Sequence, residues 1–248
     1  MSELKKDLME ALKDQQAIFG DMLYDNISIE LQPRKSKDQH VQLVSEKTDD
    51  EQPEKLFHEE FDEADSLETL NSLICDCQKC VLGKTRTKFV FGVGNPNATA
   101  MLIGEAPGAD EDQKGEPFVG RAGKLLNDIL KAINFAREEV YIANILKCRP
   151  PGNRDPLPGE METCMPYLMK QIDLVKPKVI LCLGRIAANG LLGKKLTLAA
   201  LRENVYEVNG IKVIATYHPA ALLRNPNWKH GCWDDVKKFR KIHDELTA

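Results

Sequence analysis

Four cysteines have the types and spacing for metal chemistry: Cys77 and Cys80, with two residues between them, and the distant Cys148 and Cys164. Soft thiolates in such sets hold zinc or iron–sulfur clusters, and spacing alone does not separate the two. Cys75-x-Cys77 is a competing pair in the same segment. The full cysteine count is seven, with Cys182 and Cys232 completing it. An odd number in a chain of cytosolic character favours metal ligation over a disulfide framework. Between and beyond the cysteines stand Gly104-Glu-Ala-Pro-Gly108, Asn153-Arg154 and Tyr217-His-Pro-Ala220. A cysteine quartet interleaved with carboxylate, amide and imidazole groups reads as an enzyme.

The elements that position these groups follow from the apolar pattern. Residues 100–103, 140–143, 179–183 and 213–215 are short, nearly continuous apolar runs, each a strand buried on both faces. Stretches of helical spacing lie between them. One runs from Gly120 to Ile133 with Leu125, Leu126, Ile129 and Leu130 on one side, and another from Pro158 to Val175 with Met161, Met165, Leu168 and Ile172. A third, Asp234 to Leu246, turns Val236, Phe239 and Ile242 inward. Alternation of this kind predicts an α/β fold with a central, mostly parallel four-stranded sheet. The polar residues then fall at strand ends: Gly104-Glu105, Asn144, Gly184-Arg185 and His218. The carboxyl ends of parallel strands border one crevice, so all four converge there.

The first part of the chain has a different character. A 248-residue chain that is 42% hydrophobic accommodates one α/β domain and an appendage. Lys5 to Leu23 has helical spacing, whereas 26–65 mixes charge with Gln, Pro and Ser and predicts a disordered linker. The expected division is an N-terminal extension over 1–65 and a catalytic domain over 66–248. Residues 1–70 hold 8 Lys and Arg against 19 Asp and Glu, leaving 26 basic and 19 acidic residues beyond. The acidic extension hides a positive body suited to a polyanion such as DNA. No apolar run approaches the roughly 20 residues of a membrane span, and the opening residues form no secretory signal. A cytoplasmic, nucleoid-associated monomer without membrane contact is expected.

The ordered motifs resemble the iron–sulfur uracil-DNA glycosylases of family four. Those that carry the resemblance are Gly104-Glu-Ala-Pro-Gly-Ala-Asp-Glu111, Gly115-x-Pro-Phe118-Val-Gly-x-Ala-Gly123, Asn144-x-x-Lys-Cys-Arg-Pro150, Asn153-Arg154 and His218-Pro-Ala-x-Leu-x-Arg224. It covers the chain from about Cys77 onward. It implies a three-layer αβα sandwich and cleavage of the bond between uracil and deoxyribose, leaving an abasic site in DNA. It also implies a [4Fe–4S] cluster held by Cys77, Cys80, Cys148 and Cys164, which sets Cys75 aside. Cys182 and Cys232 read as buried small hydrophobes.

Residue roles carry over in the same way. Phe118 is similar to the aromatic that stacks on a flipped uracil, and Asn144 to the amide that pairs with its N3–H and O4; Gly104 and Ala106 line the same pocket. His218 is placed to donate to O2 as charge develops there. Glu105, Asn153 and Glu111 are candidates to position water and support an oxocarbenium-like sugar, with Glu105 alternatively capping its loop and Glu111 alternatively bracing it. For DNA, Arg121 opens a helix whose free N–H groups suit phosphate. Arg154 and Arg224 add charge, and Leu222 or Leu223 forms a wedge for the vacated stack. The alternative function is a non-catalytic or altered-lesion iron–sulfur DNA-binding relative, associated with a polymerase. The N-terminal extension is the expected contact for a replication or repair partner.

Overall fold

The structure, a computed structural model, describes residues 59–248. The helix expected over Lys5–Leu23 and the expected linker up to residue 58 lie outside the described residues. Residues 59–65, the end of that linker, are packed instead. Phe61 and Ala64 are buried in the core, and the Phe61 ring meets Tyr167 edge-on at 4.9 Å. An aromatic in a polar stretch supplied the apolar area that a linker lacks.

Six strands form one sheet among the described residues: β1 (Val93–Gly94), β2 (Ala100–Gly104), β3 (Tyr141–Asn144), β4 (Val179–Leu183), β5 (Tyr206–Val208) and β6 (Ile211–Thr216). Their spatial order is β1-β3-β2-β4-β6-β5. The four inner strands are parallel and are the expected ones; β1 and β5 add antiparallel edges, correcting a four-stranded sheet to six. The added edges are two and three residues long and half-exposed, so neither makes an apolar run. The β5–β6 hairpin did have a local signal. Asn209 and Gly210 join the strands with φ of 50° and 77°, the left-handed pair that a two-residue primed turn requires.

Helices cover both faces. They are α1 (Leu67–Ile74), α2 (Ala109–Lys114), α3 (Arg121–Ala132), α4 (Pro158–Val175), α5 (Arg185–Leu192), α6 (Leu198–Glu203), α7 (Pro219–Arg224) and α8 (Lys229–Thr247). Alternate residues of each strand face opposite sides. Met101, Ile103, Ile180 and Cys182 pack under α1, α4, α5 and α6, whereas Leu102, Leu181, Leu183 and Ile214 pack under α3, α7 and α8. The result is the three-layer αβα sandwich. Phe239 of α8 is fully buried, and shielding it from water contributes about 2 kcal/mol. None of the described helices is long and apolar enough to cross a membrane.

Register decides what meets at the sheet's end. Gly104 pairs with Asn144, and Leu183 with Thr216, so β2, β3, β4 and β6 finish nearly level. The winding direction reverses between β2 and β4, which opens a crevice there.

Candidate active site

The crevice is a cleft of about 350 Å³ lined by residues from every inner strand end except that of β4, among them Glu105, Phe118, Asn144, Asn153 and His218. Its back wall depends on two glycines. A Cβ on Gly104 would stand 2.2 Å from Asn144 Oδ1 and 2.7 Å from Phe118 Cζ, so only glycine lets the amide and the ring meet over the strand end. A Cβ on Gly123 would stand 1.8 Å from the Phe118 carbonyl oxygen. That contact seats Phe118 on the first turn of α3 with φ of 54°, a left-handed conformation costly for an aromatic residue. Asn144 is 2% exposed, and its Oδ1 is the one buried side-chain nitrogen or oxygen without a partner among the described residues. An orphaned acceptor in such a place is free to take an N–H donor from a ligand.

His218 stands opposite, its ring centroid 5.6 Å from that of Phe118 with the planes 32° apart. It caps α7: Nδ1 accepts the Ala220 N–H at 3.1 Å. With Nδ1 accepting, the proton of the neutral ring sits on Nε2. Burial, aided by the Arg224 charge, lowers the His218 pKa to about 4, so the ring is neutral at ordinary pH.

The acidic candidates separate. Burial and the nearby Asp155 raise the Glu105 pKa to about 7, with Arg185 opposing. Asp155 in turn lies 3.8 Å from Arg185 Nη2. Glu111 spends both oxygens on backbone, accepting from Gly108 at 3.0 Å and from Val119 and Gly120 at 3.1 and 3.2 Å. Its hydrogen bonds are those of a brace that ties the loop after β2 to the Phe118 loop. Asn153, at φ of 55°, accepts from Arg149 Nε at 2.8 Å and stands at the exposed rim. Ala106 lines the cleft beside Glu105.

Among the expected DNA contacts, Arg121 is exposed at the start of α3 and Arg224 is exposed at the rim of the cleft. Two expectations are corrected. Leu222 is 1% exposed within the core under α3 and α8, so it cannot act as a wedge; Leu223, at 44%, points outward. Adjacent leucines on a helix lie about 100° apart, and packing of α7 on α3 selected the first. Arg154 is not a free cation, because its guanidinium holds Glu160 through bonds of 2.9 and 2.6 Å. Glu160 also accepts the Leu157 N–H at the start of α4, so the pair fixes the loop to that helix.

Sequence reasoning missed three groups that act on this site. Asp155 sits two positions past Asn153 in the motif loop, and that place in the motif was the available signal. Arg149 pins Asn153. Lys147, fully buried, donates to the Asn144 carbonyl at 2.8 Å and to Gln171 at 2.5 Å, fixing the strand end that presents Asn144. A lysine in an apolar motif flanked by Leu146 and Cys148 hinted at such a bond.

Cys77, Cys80, Cys148 and Cys164 pack in one core cluster on the α4 side, and all are free of disulfides. Donors point at three of the sulfurs: Tyr167 Oη to Cys77 at 3.2 Å, Arg86 Nη1 to Cys148 at 3.3 Å, and the Lys147 N–H to Cys164 at 3.4 Å. Hydrogen bonds of this kind stabilise sulfur ligands as thiolates. Cys75 instead turns its thiol to the Ser72 carbonyl. Among the described residues no three Cys, His, Asp or Glu side chains close on the position of a single ion. Four free thiols, three of them with N–H or O–H donors on their sulfurs, fit a thiolate-held metal group.

Residues 91–245 match the family model of the uracil DNA glycosylase superfamily. A type-4 uracil-DNA glycosylase of Archaeoglobus fulgidus is 48% identical over 186 residues, covering 72% of this chain and 94% of that protein. One from Sulfurisphaera tokodaii is 44% identical, covering 72% and 85%. Another from Thermotoga maritima is 43% identical, covering 64% and 84%. The match spans the sheet and every residue lining the cleft. By sequence, by layers and by the placement of its motifs, the chain belongs to the uracil DNA glycosylase superfamily, in its type-4 branch.

Proposed function

We propose that this chain is a DNA-repair hydrolase that cleaves the N-glycosidic bond of uracil in DNA, releasing free uracil and leaving an abasic site. The observation that carries the reading is the orphaned Asn144 Oδ1, set between the Phe118 ring and His218. The reacting bond is unreachable in a stacked duplex, so the nucleotide must turn out into the cleft. Phe118 supports one face of the uracil ring. Asn144 Oδ1 accepts N3–H, and the amide NH₂ serves O4, a pairing that cytosine cannot reproduce.

Bond breakage leaves negative charge on the base and positive charge on the sugar. His218 meets the first with its Nε2–H aimed at uracil O2; a neutral donor strengthens its bond as the oxygen gains charge. Glu105 meets the second. Ionised, it stabilises the cationic sugar and takes a proton from the attacking water; Asn153, held by Arg149, orients that water from the rim. Glu111 braces the loops that carry Glu105 and Phe118. Arg121, Arg224 and the end of α7 face the DNA, with Leu223 as the wedge. No covalent intermediate is needed.

The four cysteines, Cys77, Cys80, Cys148 and Cys164, are assigned to a [4Fe–4S] cluster. When bound it supplies a cross-link between the segment before β1 and the loop and helix after β3. The DNA substrate and a monomeric working state are part of the same reading. The extension that precedes the packed residues 59–65 is left for repair or replication partners. The non-catalytic alternative is not favoured, since the relatives are named as glycosylases.

The deciding experiment is release of free uracil from a uracil-containing oligonucleotide by wild type, Asn144→Ala and His218→Ala. Release by wild type that is lost in both variants upholds the function and the two roles. A folded, cluster-loaded wild type that releases none overturns it.

A further inference from the structure

At the rim of the cleft, the stretch from the last residue of α7 to the first turn of α8 reads Arg224-Asn-Pro-Asn-Trp228-Lys229-His230, with three basic-type side chains and no acidic one. All seven residues are exposed, and Trp228 is 43% exposed despite being among the largest apolar side chains in the protein. Single exposed apolar residues are ordinary. This one is held in place. Its ring lies 5.3 Å from the Tyr217 ring with only 24° between the planes. On Tyr217 sits the Arg202 guanidinium, 4.3 Å from the ring centroid, with Nη1 bonded to the Tyr217 hydroxyl at 2.8 Å. Arg202 is fixed by Asp235 at 2.6 Å and by the Gly231 carbonyl at 2.8 Å, and Asp235 also receives Thr216 at 2.8 Å.

The stack Arg202, Tyr217, Trp228 is therefore built on the end of β6, one residue before His218. Trp228 also closes a turn onto the end of α7, its N–H bonded to the Asn225 carbonyl at 3.1 Å. Arg224, which lines the cleft, is four residues away, at most about 14 Å along the chain. A rigid, half-exposed indole beside the mouth of a base-binding cleft, flanked by Arg224 and Lys229, has the makings of a nucleobase platform: π-face for the base, cations for its phosphates.

We propose that Trp228 is a stacking site for an unpaired base next to the uracil on the same strand, so that the protein holds single-stranded DNA beyond the flipped nucleotide. The proposal rests on the DNA-glycosylase reading of the cleft. It adds a contact outside it.

The chain has two tryptophans, so Trp233→Phe leaves Trp228 as the sole tryptophan emitter. The probe is a single-stranded oligonucleotide carrying a tetrahydrofuran abasic analogue, which cannot be cleaved. Quenching of Trp228 emission should follow the same binding curve as fluorescence anisotropy. Trp228→Ala should weaken binding roughly tenfold, the scale of one lost base–aromatic stack, and Trp228→Phe should restore most of it. Unchanged emission on saturation, or undiminished affinity in Trp228→Ala, overturns the platform. Should Trp228→Ala also melt early, the emission of the Trp233→Phe protein and the Phe variant still decide. Uracil release by wild type is measured in parallel: its absence defeats the glycosylase reading, whereas loss of the stacking effect with release intact defeats only this proposal.

Discussion

His218 Nδ1 accepts the Ala220 backbone N–H at 3.1 Å, so one bond caps a helix and fixes the tautomer of the imidazole facing Phe118. The ring resists protonation down to about pH 4, below the 6.5 of an unfolded histidine. The folded protein thus binds fewer protons than the unfolded chain between those values. Its stability is full above pH 6.5 and falls as pH drops toward 4. Melting temperature should therefore decline less on acidification in His218→Gln than in wild type. An equal decline in both would contradict a neutral, half-buried ring.

Glu105 has the opposite shift. Burial and Asp155 hold its pKa near 7, well above the unfolded value of 4.5. Its contribution to stability is present below pH 4.5 and lost as pH rises through 7. Catalysis by the ionised form runs the other way, rising with pH around a midpoint near 7 in single-turnover uracil release. Asp155→Asn removes a negative neighbour and should move that midpoint down; Arg185→Ala should move it up. Shifts in the reverse directions would show that another group sets the profile.

What the sequence disclosed follows from burial. The inner strands, covered on both sides, are apolar at every position, so 100–104 and 179–183 are recognisable without partners. Helices α3, α4 and α8 carry one long apolar stripe each. The short helices α2, α5, α6 and α7 give six to eight residues of pattern, too few for a period to emerge. In the site, types and positions were legible while partnerships were not. Nothing local says that Arg154 turns to Glu160 six residues on, or that Leu222 rather than Leu223 meets the core. Glu111 had two readings until its three backbone donors were seen.

Asn144 sacrifices stability for recognition. A buried acceptor without a partner costs about 1–3 kcal/mol, so Asn144→Ala should melt no lower than wild type. Uracil release should nonetheless fall at least about a hundredfold, since the edge that pairs with N3–H and O4 is gone. A variant that melts far lower would mean that Asn144 holds the strand end and is not reserved for the base.

Gly104 is the test of the back wall. A methyl group at this position would stand 2.2 Å from Asn144 Oδ1, so Gly104→Ala must push the amide or Phe118 aside. Displacement of about 1 Å in a binding group is enough for a hundredfold loss. The expected result is a raised KM with the protein still folded by circular dichroism. Unaltered KM would mean that the amide and ring do not grip the base together.

The cysteine assignment predicts which thiols matter. Cys148→Ser and Cys164→Ser should purify without stoichiometric iron and acid-labile sulfide, whereas Cys75→Ala should retain both, since its thiol faces the Ser72 carbonyl. Cys80 and Cys148 are far apart in the chain, and a cross-link closing a loop of that size is worth on the order of 4 kcal/mol. In a domain of this length that corresponds to a melting point lower by about 10 °C in the two serine variants. The donors on the sulfurs give an independent check. Tyr167→Phe removes the hydroxyl 3.2 Å from Cys77 while keeping the ring against Phe61, so it should make the cluster easier to lose to a chelator without unfolding the protein. Zinc without sulfide in the wild type would replace the cluster with a single-ion site, and loss of iron in Cys75→Ala would redraw the ligand set.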